Sequence, residues 1–181
     1  MALQVRQAQD PALARALSEV RARIDVIAML HQRLYQTGRH DRVDLGAFLS
    51  DIAGSTLRAL NAGERFTLEL ACQPGLLLPV EQATPLAIIT SELFTNALKY
   101  AHPDGSPGRI SVLLEQDPSG EVRLVVADDG VGLPASFDPS RSTGVGMKVV
   151  TALCRQVRAE LEASDGWPGA RFTITLTPRT P

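Results

Sequence analysis

The chain has 181 residues, enough for one globular domain with a helical appendage and a buried core. Apolar residues make up 44% and charged residues 21%, which excludes a disordered chain. Eighteen Lys and Arg against twenty Asp and Glu give a net charge of −2, and aromatics amount to five Phe, two Tyr and one Trp. That balance argues against a nucleic-acid partner and against a stacking platform for single strands. The longest apolar runs, Gly75 to Val80 and Leu86 to Ile89, fall far short of the roughly 20 residues that span a bilayer. The first residues lack a signal-peptide layout, and Cys72 and Cys154 form no CxxC, so a cytoplasmic chain with buried thiols is expected.

The first helix is predicted from Pro11 to about Thr37, with Asp10-Pro11 as its start signal and Gly38 as its stop. Leu13, Leu17, Val20, Ile24, Ile27, His31 and Leu34 follow one another at spacings of 4, 3, 4, 3, 4 and 3, an apolar heptad seam. Between them Arg15, Glu19, Arg21, Arg23, Asp25 and Arg33 suit a solvated face. A lone helix cannot bury its own seam, so this one requires a partner helix, from this chain or a second copy. His31, at a seam position, reads as a packed, hydrogen-bonded histidine.

A second helix opens at Asp44 and runs to about Leu60, ended by Asn61-Ala62-Gly63. Phe66 to Ala71 alternates as a half-buried strand, and Pro74-Gly75 is a turn. A third helix covers about Glu81 to Ala101, broken by His102-Pro103-Asp104-Gly105. Arg109 to Glu115 and Val122 to Ala127 read as a hairpin joined at Asp117-Pro118-Ser119-Gly120. A loop rich in Gly, Pro, Ser and Asp fills Asp128 to Gly146, followed by a fourth helix from about Met147 to Gln156. Glu160 to Ala163 and the alternating strand Arg171 to Thr177 close the chain. The order implies an α+β fold, a two-layer α/β sandwich with helices on one face of a mixed sheet, preceded by a long helix.

Three features carry chemistry. Glu92, Asn96, Lys99 and Tyr100 stand at i, i+4, i+7 and i+8 along one helix face, a surface suited to a hydrated metal ion and phosphates. Asp128-Asp129-Gly130-Val131-Gly132 follows a strand directly, where an Asp can accept from an amino group and glycines let a flat ligand approach the backbone. Ser142-Thr143-Gly144-Val145-Gly146-Met147 is a glycine loop entering a helix, whose free N–H groups bind phosphate. Each has a plainer alternative: a solvated helix face, a turn, a glycine-rich connection. The third is neither a Walker A loop nor a dinucleotide fingerprint.

In this order and spacing the three resemble the ATP-binding (Bergerat-fold) domain shared by histidine kinases, gyrase, Hsp90 and the mismatch-repair ATPases. Glu92-x-x-x-Asn96 resembles the N box, Asp128-x-Gly130-x-Gly132 the G1 box, Gly144-x-Gly146 the G2 box, and Leu133 to Thr143 the lid. Leu93 to Pro103, Gly144 to Val150 and Arg23-Ile24-x-x-Ile27-Ala28-x-x-His31-x-x-Leu34-Tyr35 are similar to sensor histidine kinases with a dimerisation region of the second HisKA type. The resemblance covers about residues 10 to 178 and implies a partial dimerisation region over 1–40 and a catalytic domain over 41–181. It implies ATP and Mg²⁺ as ligands. Asn96 would hold the metal, and Glu92 would position or polarise the attacking group. Lys99 would contact phosphate, and Tyr100 would border the nucleotide. Asp128 would accept from the adenine amino group, Gly130 and Gly132 would admit the base, and Gly144, Gly146 and Met147 would bind phosphates. The implied partners are an acceptor histidine helix or a response regulator, and a second copy through the first helix.

The family's acceptor run, His-Arg followed by Lys-Asn-Asn, has no match among His31, His40 and His102. His31 corresponds to the family's second-helix histidine, which is not the acceptor; His40 lies past the helix and His102 terminates one. A fragment of a longer kinase is expected. Gly169-Ala170-Arg171-Phe172 replaces the family's Gly-Gly-Thr, in a region assigned to packing. The alternatives are a serine kinase of the anti-sigma type on the same fold and a non-catalytic docking module.

Overall fold

The first helix, α1, spans Pro11–Thr37. It belongs to a computed structural model that describes residues 11–37, 41–60, 62–166 and 168–178. Asp10, Gly38, His40 and Asn61 lie outside the described residues, as does the side chain of Leu13. The succeeding elements are β1 (Arg42–Asp44), α2 (Leu45–Ala59), β2 (Phe66–Cys72), β3 (Leu77–Pro79) and α3 (Val80–Tyr100). Then come β4 (Gly108–Gln116), β5 (Val122–Asp128), a 3₁₀ turn at Pro139–Arg141, α4 (Val145–Val157), β6 (Glu160–Asp165) and β7 (Ala170–Leu176).

The main sheet has the order β2-β4-β5-β7-β6. β2 and β4 run parallel, which α3 makes possible by crossing between them; every other neighbour pair is antiparallel. Ile110, Val112 and Leu114 of β4, Leu124 and Val126 of β5, and Phe172, Ile174 and Leu176 of β7 are buried at alternate positions. Phe48, Leu49 and Ile52 of α2 and Leu86, Ile89, Leu93 and Phe94 of α3 complete the core. The opposite sheet face carries ion pairs such as Arg109–Glu69 at 2.9 Å, each side chain more than half exposed. The sandwich expected from the element order is the one observed.

Two elements were not expected. β1 and β3 form a separate antiparallel ribbon, Val43 opposite Leu78, that ties the entrance of α2 to the entrance of α3. Asp44 ends β1 and caps α2, its Oδ1 accepting from the Ala47 N–H at 3.1 Å.

α1 packs chiefly on α3, with Val26 and Leu30 buried and Met29 and Leu34 partly so. From Leu17 to His31 the seam faces outward. Leu17, Val20, Ile24 and Ile27 are 58, 48, 59 and 40% exposed. His31 lies on that outward side and is exposed, so the packing expected of it would have to come from a partner helix. The solvated reading of Arg23 and Arg33 fails. Both lie on the inward side, where Arg33 donates to Asp51 and to the Ala47 carbonyl, and Arg23 donates to Glu92.

Candidate active site

The site lies where the C-terminal half of α3, the end of β5 and the start of α4 converge. Around it is a cavity of about 310 Å³, at the lower end of the range typical of small-molecule sites. Leu93, Ala97, Val126, Leu133, Phe137 and Phe172 give it apolar walls; Asn96, Asp128, Gly144 and Ser142 bring polar groups to it. An apolar slot with few convergent polar groups suits a planar heterocycle attached to a polar tail.

Asp128 leaves β5 at its last position. Its Oδ1 accepts from the N–H of Gly130 at 3.0 Å and of Ala170 at 3.2 Å. Its second oxygen makes no hydrogen bond among the described residues, and the residue lines the cavity. One oxygen thus fixes the carboxylate while the other can meet an amino group. Gly169, at φ +89°, lets the last turn press on this strand end, since a Cβ there would strike the Asp128 carbonyl. The segment assigned to packing therefore also supplies a donor to the candidate base-binding carboxylate.

Gly130 does not line the cavity. It allows the loop backbone to lie on the end of α3, where a Cβ would overlap the Ala101 carbonyl. The Val131 N–H donates to that carbonyl at 2.9 Å, satisfying an acceptor the helix leaves unpaired. His102 closes the same junction. Its Nε2 pairs with Asp129 Oδ1 at 2.9 Å and its Nδ1 with Ser106 Oγ at 3.0 Å, and its carbonyl accepts from Arg65. Burial raises the Asp129 carboxyl, but the Arg109 N–H and His102 outweigh it and hold the group below its ordinary value. The junction joins the ends of α3 and β5, whose Asn96 and Asp128 line one cavity.

Asn96 Nδ2 lies 3.7 Å from the Met147 sulfur, and its Oδ1 makes no hydrogen bond among the described residues. The described residues contain no group of three or more His, Cys, Asp or Glu able to hold a metal. A single amide oxygen beside an uncapped helix start is compatible with Mg²⁺, which takes few protein ligands and completes its shell with phosphate oxygens and water.

α4 begins at Val145, two residues before its expected start, with Gly144 at the N-cap; no side chain caps it and no acidic residue stands in its first turn. Its first N–H groups lack helical acceptors and sit at the cavity wall with Gly144, Gly146 and Met147. A helix start left uncapped in this way is able to take an anion.

Of the residues singled out by sequence, Asn96, Tyr100, Asp128, Gly132, Gly144, Gly146 and Met147 line the cavity. Lys99 is exposed near the end of α3 and is not part of its wall. Glu92 is 8% exposed, behind the wall, and paired with Arg23 at 2.6 Å. Phe137 and Phe172, edge to face at 6.0 Å, were not singled out. Isolated phenylalanines in a loop and a strand carry no spacing that marks a ligand wall.

Residues 81–180 match the model of the histidine kinase-, DNA gyrase B- and HSP90-like ATPase family, and residues 1–60 match that of the histidine kinase family HisKA_2. Blue-light-activated histidine kinase 2 of Erythrobacter litoralis is 25% identical over 96% of this chain and 51% of its own. Sensor histidine kinase PdtaS of Mycobacterium tuberculosis is 28% identical over 93% of this chain and 33% of its own. The histidine kinase domain of the Erythrobacter litoralis EL346 protein superposes with a TM-score of 0.78 at 25% identity, covering 88% of this chain and 75% of that one. The chain belongs to the histidine kinase-, gyrase B- and HSP90-like ATPase family. Within it, the matched families and the fold correspond to the ATP-binding catalytic region of a sensor histidine kinase. The chain spans about half the length of one of these curated relatives and a third of the other.

Proposed function

We propose that this chain binds Mg·ATP in the cavity and delivers the γ-phosphoryl group to a histidine supplied by another helix. The observation that carries this reading is the meeting, in one cavity, of the Asp128 carboxylate with the uncapped start of α4 beside Asn96. The adenine amino group would donate to Asp128, with Gly132 and Tyr100 bordering the base. The phosphates would take the N–H groups at Gly144, Gly146 and Met147, with Lys99 as a further cation. Asn96 would hold Mg²⁺, which neutralises phosphate charge when bound. Phosphoryl transfer asks the protein mainly for position and charge neutralisation, and these residues provide both.

Residues 1–40 form the dimerisation part in this reading and 41–181 the catalytic domain. The outward seam of α1 takes a second copy of the chain. The remaining partners are an acceptor histidine helix or a response regulator, in the cytoplasm. No helix among the described residues is long and apolar enough to cross a membrane. His102 is engaged by Asp129 and Ser106 as a structural clasp, which argues against it as an acceptor. Titration of the chain with ADP and ATP, with and without Mg²⁺, tests the reading. Binding of triphosphate that depends on Mg²⁺ supports it, and the absence of any adenine-nucleotide binding overturns it.

A further inference from the structure

Arg23 stands on the inward face of α1, one turn before Val26. Its Nε donates to Glu92 Oε1 at 2.6 Å, across 69 positions of sequence, with side chains 18 and 9% exposed. Its Nη2 is buried and has no hydrogen-bond partner. The other oxygen of Glu92 is turned toward the G2 turn, where a Cβ on Gly146 would come within 2.6 Å of Oε2. Neither Arg23 nor Glu92 lines the nucleotide cavity. The carboxylate one turn before Asn96 is therefore enclosed by a guanidinium on one side and the start of α4 on the other.

We propose that Arg23 is a positioning residue for Glu92, and that with α1 seated in this way it withholds the carboxylate from phosphoryl transfer until the helix shifts. The proposal rests on the reading of the cavity as a Mg·ATP site. A group that accepts a proton during transfer must come within hydrogen-bond reach of the attacking atom. Here one oxygen is committed to Arg23 of α1 and the other is held against the start of α4 at Gly146. The contact is also suited to being broken. Desolvation offsets much of the attraction in a buried ion pair, and the orphaned Nη2 regains water on leaving. The outward stripe of the same helix, Val20, Ile24 and Ile27, is uncovered, so engagement of that stripe is a second set of contacts able to move α1. Once released, Glu92 can take the proton of the nucleophile. The nucleophile's lone pair forms the bond to the γ-phosphorus, and the bond to the bridging oxygen breaks with its electron pair leaving on ADP.

The test uses the full chain, with water as the stand-in acceptor. Arg23→Met keeps most of the side-chain volume and removes the charge; Arg23→Lys keeps the charge and gives up the Nε contact. Mg·ATP affinity is measured by calorimetry, and turnover by release of inorganic phosphate. The Met variant is expected to bind Mg·ATP like the parent chain and to release phosphate faster by about tenfold, within what one positioned proton acceptor contributes. The Lys variant is expected to show a smaller gain. Adding Glu92→Gln to Arg23→Met is expected to remove the gain, which a merely structural loosening of α1 would not do. A Met variant with intact Mg·ATP binding and unchanged or slower phosphate release overturns the proposal. Should that variant not fold, an unchanged or slower rate in the Lys variant overturns it equally. Failure of the parent chain to bind nucleotide overturns the reading of the cavity, and this proposal with it.

Discussion

Asp128 holds two backbone N–H groups with one oxygen, leaves the other without a hydrogen bond among the described residues, and lines the cavity. Its two roles separate by substitution. Asp128→Asn retains an oxygen for Gly130 and Ala170 but can replace the second acceptor with a donor. Thermal unfolding is expected to change little while adenine-nucleotide affinity falls by about 2 kcal/mol, the scale of an unmatched polar contact in a buried site. Asp128→Ala also strands the two N–H groups and is expected to lower stability by about 1–3 kcal/mol. Equal loss of stability in both variants would contradict this division. Asp129 supplies a pH dependence. Its carboxyl is held below the ordinary value, so its ion form stabilises the fold above about pH 4. That contribution is lost as pH falls through the lower folded-state value. The difference in melting temperature between the parent chain and Asp129→Asn is therefore expected to be full at pH 6 and to shrink toward zero in stronger acid. Cys154 is buried with its thiol pushed up to about 11, whereas Cys72 is only partly buried. Alkylation of the native chain at pH 8 is expected to modify Cys72 ahead of Cys154. Asp128, Asn96 and the G2 glycines stand out in the sequence through the order of the three motifs and their resemblance to the ATPase family, and they line one cavity. The partners of Glu92 and Asp129 do not stand out, because contacts across 69 and 27 positions leave no local pattern.

Helices with a strong apolar period were read to within a residue or two, as α2 and α3 show. β1 and β3 were missed because three residues are too few to display a period of two. The start of α4 was placed late because Gly144-Val145-Gly146 reads as loop, although both glycines are needed where they stand. Gly146 packs against Glu92 and the cavity, and a methyl group there would reach the carboxylate at 2.6 Å. Gly146→Ala is expected to weaken triphosphate binding by about tenfold, near 1.4 kcal/mol, through displacement of the α4 N-terminus, with smaller effect on adenosine. Equal losses for adenosine and triphosphate would contradict a phosphate role for this turn. At the other end of the domain, Asp44→Ala removes the side-chain cap of α2 and is expected to cost about 1 kcal/mol of stability with nucleotide affinity unchanged.

On the scale of the whole molecule, α1 has two apolar faces and only one of them is covered. The heptad pattern was legible from the sequence, and so was its need for a partner. Which side the chain itself grips was not, since Arg23 and Arg33 look like solvent-facing residues until Glu92 and Asp51 are found beneath them. The uncovered stripe is expected to drive self-association at high micromolar concentration. Val20→Glu with Ile27→Glu is expected to return the chain to a monomer in sedimentation without altering nucleotide affinity. A parent chain that is monomeric at that concentration would contradict the assignment of the seam to a second copy. The central claim is the nucleotide site, and calorimetric titration with Mg·ATP of the parent chain beside Asn96→Ala tests it most directly. The account predicts Mg²⁺-dependent binding that weakens by at least about tenfold in the variant, the loss of a metal-directed contact. Equal binding by both proteins with and without Mg²⁺, or binding by neither, would contradict it.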